Sequence, residues 1–312
     1  MDEALLRRFR QRDRRALSRL LSLLARGEDV GEVRAKPQAG AEQAAARVVA
    51  ITGGGGVGKS SLIGKLIERW RERGQSVAVL ACDPESPLSG GALLGDRFRM
   101  PSRPDDDGVF IRSLAAASGQ GAVAKHLPAI IRLLEAFGFD LILLETVGAG
   151  QGDVAVHGLA DGVVLLLQPE TGDDLQWEKA GVMEVADLVV IHKADLPGAE
   201  SAAAQVRSAL DLFAGKSVPV LLVSARTGQG LDELLDRIAA LPLRRAAEVP
   251  SGPTELLRRA QETLAARYAR GQAEHDPQLE QLLSAWRQGA LQAEAAAEDL
   301  LRWAGTAASR ER

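Results

Sequence analysis

The sequence predicts an α/β protein with a mostly parallel central sheet flanked by helices, extended by helical segments at both ends. Three observations predict it. Between residues 47 and 225 the chain repeats short, unbroken runs of Val, Ile and Leu, and runs that do not alternate with polar residues belong to strands buried on both faces. Helical patterns fill most of the gaps between them, the arrangement that lays helices over a parallel sheet. After about residue 245 the runs stop, and only helix-like stretches follow.

Taken in order, residues 2–27 set Leu17, Leu20, Leu21 and Leu24 at helical spacing among many arginines. This reads as one amphipathic packing helix with a solvated basic face. A polar stretch, GEDVGEVRAKPQAGAEQ, follows as linker, closing an N-terminal region of residues 1–44. The strands are then RVVAIT (47–52), SVAVLACD (76–83), VFIRS (109–113), LILLETVG (141–148), GVVLLLQ (162–168), LVVIHKAD (188–195) and VPVLLVSA (218–225), with a helix over Lys59–Arg73 after the first. These place the central domain at residues 45–245. VPSGP (249–253) is a second linker, and residues 246–312 read as two or three helices. Ligands of such sheets sit at the carboxyl ends of the strands, and the polar and glycine-rich motifs all fall there.

Gly53, Gly58, Lys59 and Ser60 fit G-x-x-x-x-G-K-[ST], in the strand-to-helix setting that pattern requires. The chemistry explains the residue types. Glycines let the loop Gly53, Gly54, Gly55, Gly56, Val57, Gly58 turn its N–H groups inward onto phosphates. Lys59 bridges the terminal phosphates, Ser60 ligates Mg²⁺, and Ser61 continues into a helix whose N-terminus favours anions. The chain therefore reads as a P-loop NTPase, with ATP and GTP both open at this point. The run of glycines also resembles the loop of partitioning ATPases, but their signature lysine would fall at Gly54.

A carboxylate at a neighbouring strand end is expected to hold the magnesium, and Asp83 and Glu145 both qualify. After a run as apolar as LILL, a carboxylate belongs at a strand tip facing a cation. In ETVGAGQGD, Gly148 can offer its N–H to a γ-phosphate. The base is addressed by HKAD (192–195) and by SA at the end of the next strand, followed by Arg226. GTPases commonly place [NT]KxD and SA there. Asp195 would accept from guanine N1 and its exocyclic amine, Lys193 would lie over the ring, the Ala225 N–H would meet O6, and Ser224 and Arg226 complete the loop. His192 stands where Asn is usual. A neutral imidazole can donate one hydrogen bond and accept another, so it serves either as a partial replacement or as an ordinary strand-end histidine.

Longer blocks carry a more specific resemblance. ACDPESPLSGGALLGDRFRM (81–100), FDLILLETVGAGQGD (139–153) and PETGDDLQWEKAG (169–181) resemble, in order and spacing, the blocks of the MeaB/ArgK-type GTPases of the G3E class, relatives of the methylmalonic aciduria type A protein. The resemblance spans roughly residues 45–230, with echoes in RDRRALSRLLSLL and HDPQLEQLL. It implies a GTP-hydrolysing chaperone of an adenosylcobalamin-dependent acyl-CoA mutase, one that gates cofactor loading and protects or rescues the mutase. It further implies a homodimer through C-terminal helical arms. By the same resemblance Mg²⁺ is held by Ser60 with Asp83, Asp96 and Glu145, Asp153 to Asp161 follow the second switch, and Thr171 to Gly181, with Gln176 and Lys179, form a further switch that senses the mutase.

This chain departs from the family at His192, at Gly54 to Gly56, at Glu170, Trp177 and Glu178, and in LAAASGQGAVAKHL, where the family has a block resembling MATRGHLGG. Because these positions lie near switches, they point to a mutase other than methylmalonyl-CoA mutase, such as an isobutyryl- or 2-hydroxyisobutyryl-CoA type.

Other classes find less support. A nickel-delivery GTPase needs clustered His and Cys, whereas Cys82 is alone and the four histidines are scattered. An ATPase or kinase of amino-acid transport has no kinase loop or membrane anchor here, and Asp195 favours guanine. A non-catalytic nucleotide-dependent module disagrees with Gly53, Lys59, Ser60 and Glu145 all being intact. Arg97, Arg99 and Arg112 are the candidate catalytic arginines, and turnover without a partner is expected to be slow. A net charge of −4 argues against nucleic acid as a main partner. The start MDEALLRRFR lacks a secretory apolar core and no run reaches about 20 apolar residues, so the expected address is the cytoplasm, without membrane contact. There is no DxHxxG segment, so the chain is not expected to bind cobalamin itself.

Overall fold

A computed structural model gives the structure of residues 3–28, 30, 46–84, 106–116, 122–146, 157–169, 185–213, 218–244 and 253–310. The strands are β1 (Arg47–Gly53), β2 (Val77–Pro84), β3 (Val109–Ala116), β4 (Leu141–Glu145), β5 (Gly162–Leu167), β6 (Leu188–His192) and β7 (Val220–Val223). They form one sheet in the order β3-β2-β4-β1-β5-β6-β7, and every neighbouring pair is parallel. All seven correspond to runs read from the sequence.

The two-faced burial of β1 shows why its run is unbroken. Val48 and Ala50 join a core layer with α2 (Arg14–Ala25) and α4 (Ala122–Phe137), through Leu17, Leu20, Leu21, Ile130, Ile131 and Leu134. Val49 and Ile51 point the other way, into a layer with α3 (Lys59–Glu72) and a helix over Leu231–Ala240, here α6. There Leu62, Ile63, Leu66 and Ile67 are fully buried. Each such side chain contributes about 1.5–3 kcal/mol by leaving water. A third layer packs α5 (Ala199–Phe213) on Leu165, Leu167, Val189 and Ile191.

The N-terminal segment differs from the single helix expected of it. It forms α1 (Glu3–Arg10) and α2, broken at Arg12, whose φ is +64°. Asp13 restarts the helix by accepting from the N–H groups of Arg15 at 2.8 Å and Ala16 at 3.2 Å, the role of an N-cap. Arg7 and Arg10 are exposed as expected, but other arginines are tied down. Arg12 lies 5.8 Å above the Phe137 ring and donates to the Gly138 carbonyl, Arg14 donates to the carbonyls of Asp106 and Val109, and Arg112 reaches Ser22 Oγ at 2.9 Å.

At the amino ends of the strands the same device occurs three times. Asp140, Asp161 and Asp187 each immediately precede the first residue of β4, β5 and β6. Their carboxylates accept from the backbone N–H of Ser76 at 2.7 Å, Val48 at 2.8 Å and Val163 at 3.0 Å. In each case the aspartate N–H donates back to the carbonyl of the same residue. Backbone groups at the strand starts are thereby paired, buried at Val48 and exposed at Ser76.

Residues Met1–Ala247 form one compact unit and Glu248–Arg312 a second. The second consists of α7 (Pro253–Ala273), α8 (Pro277–Arg287) and α9 (Ala293–Arg310), packed around Leu279, Trp303 and Ala304. Asp276 caps α8 and also accepts from Trp303 Nε1 at 3.1 Å. Leu257, Trp286 and Leu301 of this unit are more than half exposed.

Candidate functional site

The loop after β1 is shaped by two glycines. Gly53 has φ +147° and lies against β5, where a Cβ would come within 2.4 Å of the Leu166 carbonyl oxygen. Gly58 has φ +97°, and a Cβ there would lie 2.7 Å from His192 Cε1. Neither position accepts a side chain without displacing its neighbour. Immediately after Gly58, α3 begins at Lys59, so the first N–H groups of that helix, which have no acceptor within it, face the loop. Lys59 Nζ curls back over the loop and donates to Gly53 O at 2.9 Å and Gly54 O at 3.2 Å.

On the β4 side of β1, Ser60 Oγ donates to Glu145 Oε1 at 2.7 Å, with both residues buried. Sheet register puts Glu145 between Ile51 of β1 and Ala81 of β2. Two further hydroxyls lie close by in the chain, Thr52 Oγ1 and Thr146 Oγ1. Both are buried with no hydrogen-bond partner among the described residues. Hydroxyl and carboxylate oxygens are the donor set a hard divalent cation takes, so Ser60 and Glu145 fit Mg²⁺. The sequence reading had not singled out Thr52 or Thr146. Thr52 is the next-to-last residue of β1 and Thr146 directly follows β4.

On the β5 side, HKAD leaves β6 and SAR leaves β7, brought together by the pairing of His192 with Val223. His192 is buried, its Nδ1 lies 2.8 Å from the Val57 carbonyl oxygen, and its ring stacks on Gly58. Donation to a carbonyl places the proton on Nδ1. Burial holds the ring's pKa below the usual histidine value, so the imidazole is neutral and its buried Nε2 has no partner among the described residues. Through its bond to the Val57 carbonyl the ring ties the HKAD segment to the loop after β1.

Lys193 adopts φ +58°, an uncommon conformation for a side-chain-bearing residue. Its ammonium donates to Gln168 Oε1 at 2.8 Å and Gly56 O at 3.3 Å. Gln168, the polar residue after the GVVLLL strand, is a second partner not foreseen from sequence. Asp195 accepts from Ser224 Oγ and from Arg226 Nε, the latter at 2.8 Å. The Ser224 hydroxyl, and then Arg226, hold its carboxyl below the usual carboxylate range. Ser224 is itself fixed, fully buried, with its N–H on the Gln229 carbonyl and its Oγ accepting from the Thr227 N–H.

Thus Gly53 to Ser61, Glu145, His192, Lys193, Asp195, Ser224, Ala225 and Arg226 gather along the carboxyl ends of β1, β4, β6 and β7. The side chain of Asp83, and all of Asp96, Arg97, Arg99, Gly148, Asp153 and residues 170–184, lie outside the described residues. Asp161 sits at the opposite end of β5, where it closes the strand start. Arg112 is on the edge strand β3 and turned to α2. Among the described residues no group of three or more His, Cys, Asp or Glu could hold a metal, and no helix is long and apolar enough to cross a membrane.

A strand, glycine loop and helix holding a buried lysine and serine, beside a strand-end glutamate and a K-x-D loop, define a P-loop GTPase. The family description "Methylmalonyl Co-A mutase-associated GTPase MeaB" matches residues 33–272, and the chain belongs to that family. Its relatives include a GTPase-named protein of Pyrococcus abyssi, 44% identical over 76% of this chain and 75% of its own length. The fused isobutyryl-CoA mutase of Cupriavidus metallidurans is 42% identical over 61% of this chain, within 18% of that longer protein. The mitochondrial methylmalonic aciduria type A homolog of Mus musculus is 41% identical over 60% of this chain and 47% of its own. The fold also matches the crystal structure of an LAO/AO transport system kinase, with a TM-score of 0.57, 24% identity and coverage of 97% and 98% of the two chains.

Proposed function

We propose that this GTPase serves as the chaperone of an adenosylcobalamin-dependent acyl-CoA mutase, using GTP binding and hydrolysis to gate cofactor loading and to protect or reactivate its partner. The observation that carries the nucleotide half is the Asp195 carboxylate, seated on Ser224 at the end of β6. Guanine presents two adjacent N–H donors to such a group, whereas adenine sets an acceptor, N1, where guanine has the N1–H donor. The mutase half rests on family membership and on a relative in which this domain is fused to isobutyryl-CoA mutase.

In the reaction, water attacks the γ-phosphorus and the bond to the β–γ bridging oxygen breaks, giving GDP and phosphate. Lys59 turns from the Gly53 and Gly54 carbonyls onto the phosphates, and the α3 N-terminus adds its N–H groups. Ser60 and Glu145, with Asp83 and Asp96, would hold Mg²⁺, which when bound neutralises charge on the phosphate oxygens. Gly148 would orient toward the γ-phosphate. His192 and Lys193 fasten the base-reading loop to the phosphate loop, so base and phosphates are held as one unit.

The reading extends to a homodimer built on residues 246–312, whose exposed Leu257, Trp286 and Leu301 offer apolar surface, to a cytoplasmic address, and to no direct cobalamin binding. The test is GTP turnover by the purified chain alone and with candidate acyl-CoA mutases, together with co-purification. A partner mutase should raise turnover and stay bound. No capture and no stimulation by any mutase would end this reading, and capture of methylmalonyl-CoA mutase alone would exclude an isobutyryl- or 2-hydroxyisobutyryl-CoA partner.

A further inference from the structure

Both oxygens of Asp195 are engaged by the protein's own side chains. Its Oδ1 accepts from Ser224 Oγ, and its Oδ2 faces Arg226, with Nε at 2.8 Å and Nη2 at 2.6 Å. These two partners differ in kind. Ser224 is buried and held by the turn that follows it, while 74% of the Arg226 side chain is exposed and Asp195 is the guanidinium's only partner among the described residues. A guanidinium is also the side-chain group most similar to the edge of guanine that a carboxylate reads. Both are planar, and both present N–H donors carried on one carbon.

We propose that Arg226 is an intramolecular stand-in for guanine: it occupies Asp195 Oδ2 in the nucleotide-free protein and leaves when the N1–H and C2 amino group of the base take the carboxylate. The inference rests on Asp195 being the guanine-reading residue. Its first consequence is that Oδ2, the oxygen Ser224 does not reach, is never left without a donor between nucleotides. Its second is selective. A guanine nucleotide must displace Arg226 and so binds less tightly than the site allows, while a nucleotide held only by the phosphate loop displaces nothing. On release of GDP the arginine returns, so Arg226 favours exchange over retention. Because an exposed ion pair is weak, the competition is worth only about two- to five-fold in affinity.

The experiment is titration of the full chain, with magnesium, by GDP and by ADP, for the unaltered protein, R226A, R226M, D195A and the D195A/R226A double variant. R226A and R226M should bind GDP about two- to five-fold more tightly, leave ADP binding unchanged, and lose that gain when Asp195 is also removed. Unchanged or weaker GDP binding by both Arg226 variants overturns the proposal, as does an equal gain for GDP and ADP, which is a general charge effect. A gain that survives in the D195A background overturns it as well. If D195A alone keeps the preference for GDP over ADP, the underlying assignment of Asp195 fails, whatever Arg226 does.

Discussion

The two halves of the nucleotide site are built by different means. The phosphate half, on β1, α3 and β4, is made largely of backbone: left-handed glycines, helix N–H groups and a lysine tied to carbonyls, with the Ser60–Glu145 pair beside them. The base half, on β6 and β7, is made of side chains: Lys193 rests on Gln168, Asp195 on Ser224 and Arg226, and His192 on the Val57 carbonyl. A backbone-built site tolerates little change, because an added Cβ meets main chain or a packed ring. A side chain whose task is one hydrogen bond can be exchanged for another with the same donor, which is how histidine, on the Val57 carbonyl, stands where asparagine is usual.

Substitutions divide along this line. The largest effect belongs to Lys59→Ala, which should lower GTP turnover by about 10²–10³-fold; a loss under tenfold would show that the phosphate half does not depend on its ammonium. Asp195→Asn follows. Its amide offers a donor where the base requires an acceptor, so GDP binding should weaken about 10–100-fold, with xanthosine diphosphate, whose C2 carbonyl accepts from that amide, bound in preference. Retained GDP preference would remove Asp195 from base reading. Gly58→Ala should cost about 1–3 kcal/mol of stability through its positive φ and the contact with His192. Because only the second cause lies with the ring, adding His192→Ala should restore part of the melting temperature, and no recovery would mean the ring does not press on the loop.

Smaller effects are expected where a side chain is replaced by one able to make the same bond. His192→Asn keeps a donor for the Val57 carbonyl, so base choice should stay and nucleotide affinity should move within about threefold. A changed base preference in an ATP against GTP competition would contradict it. The smallest effect is the pH response of the same ring. Burial depresses the folded pKa of His192 below the ordinary 6.5. The unfolded chain therefore takes up a proton near 6.5 while the folded chain resists it. Its contribution is complete above about 6.5 and is lost as pH falls through the interval below. Melting temperature should drop over that interval, and His192→Asn should flatten the drop.

The backbone-built half was legible in the sequence because its elements are local. GGGGVGKSS carries its own glycines, lysine and serine, and the strand runs announce a sheet buried on both sides. The base half was legible only as residue types, since HKAD and SAR name the players but not their partners. Gln168 against Lys193, and Arg226 against Asp195, depend on β5, β6 and β7 lying side by side, an order that linear spacing does not contain. Thr52 and Thr146 went unnoticed because a threonine at a strand end is unremarkable until its hydroxyl proves buried and unpartnered. The break between α1 and α2 was hidden because leucine spacing persists from α2 alone. Its sign is Asp13, which accepts from two N–H groups of the following turn.

The aspartates at the strand starts carry a consequence for how this molecule can vary. With Asp140, Asp161 and Asp187 plugging the amino rim, the sheet is anchored at the end away from the nucleotide. Loops at the other rim can then be lengthened, recharged or fitted to a new client without loosening the foundation on which they stand. Architecture and adaptation are assigned to opposite ends of the same strands.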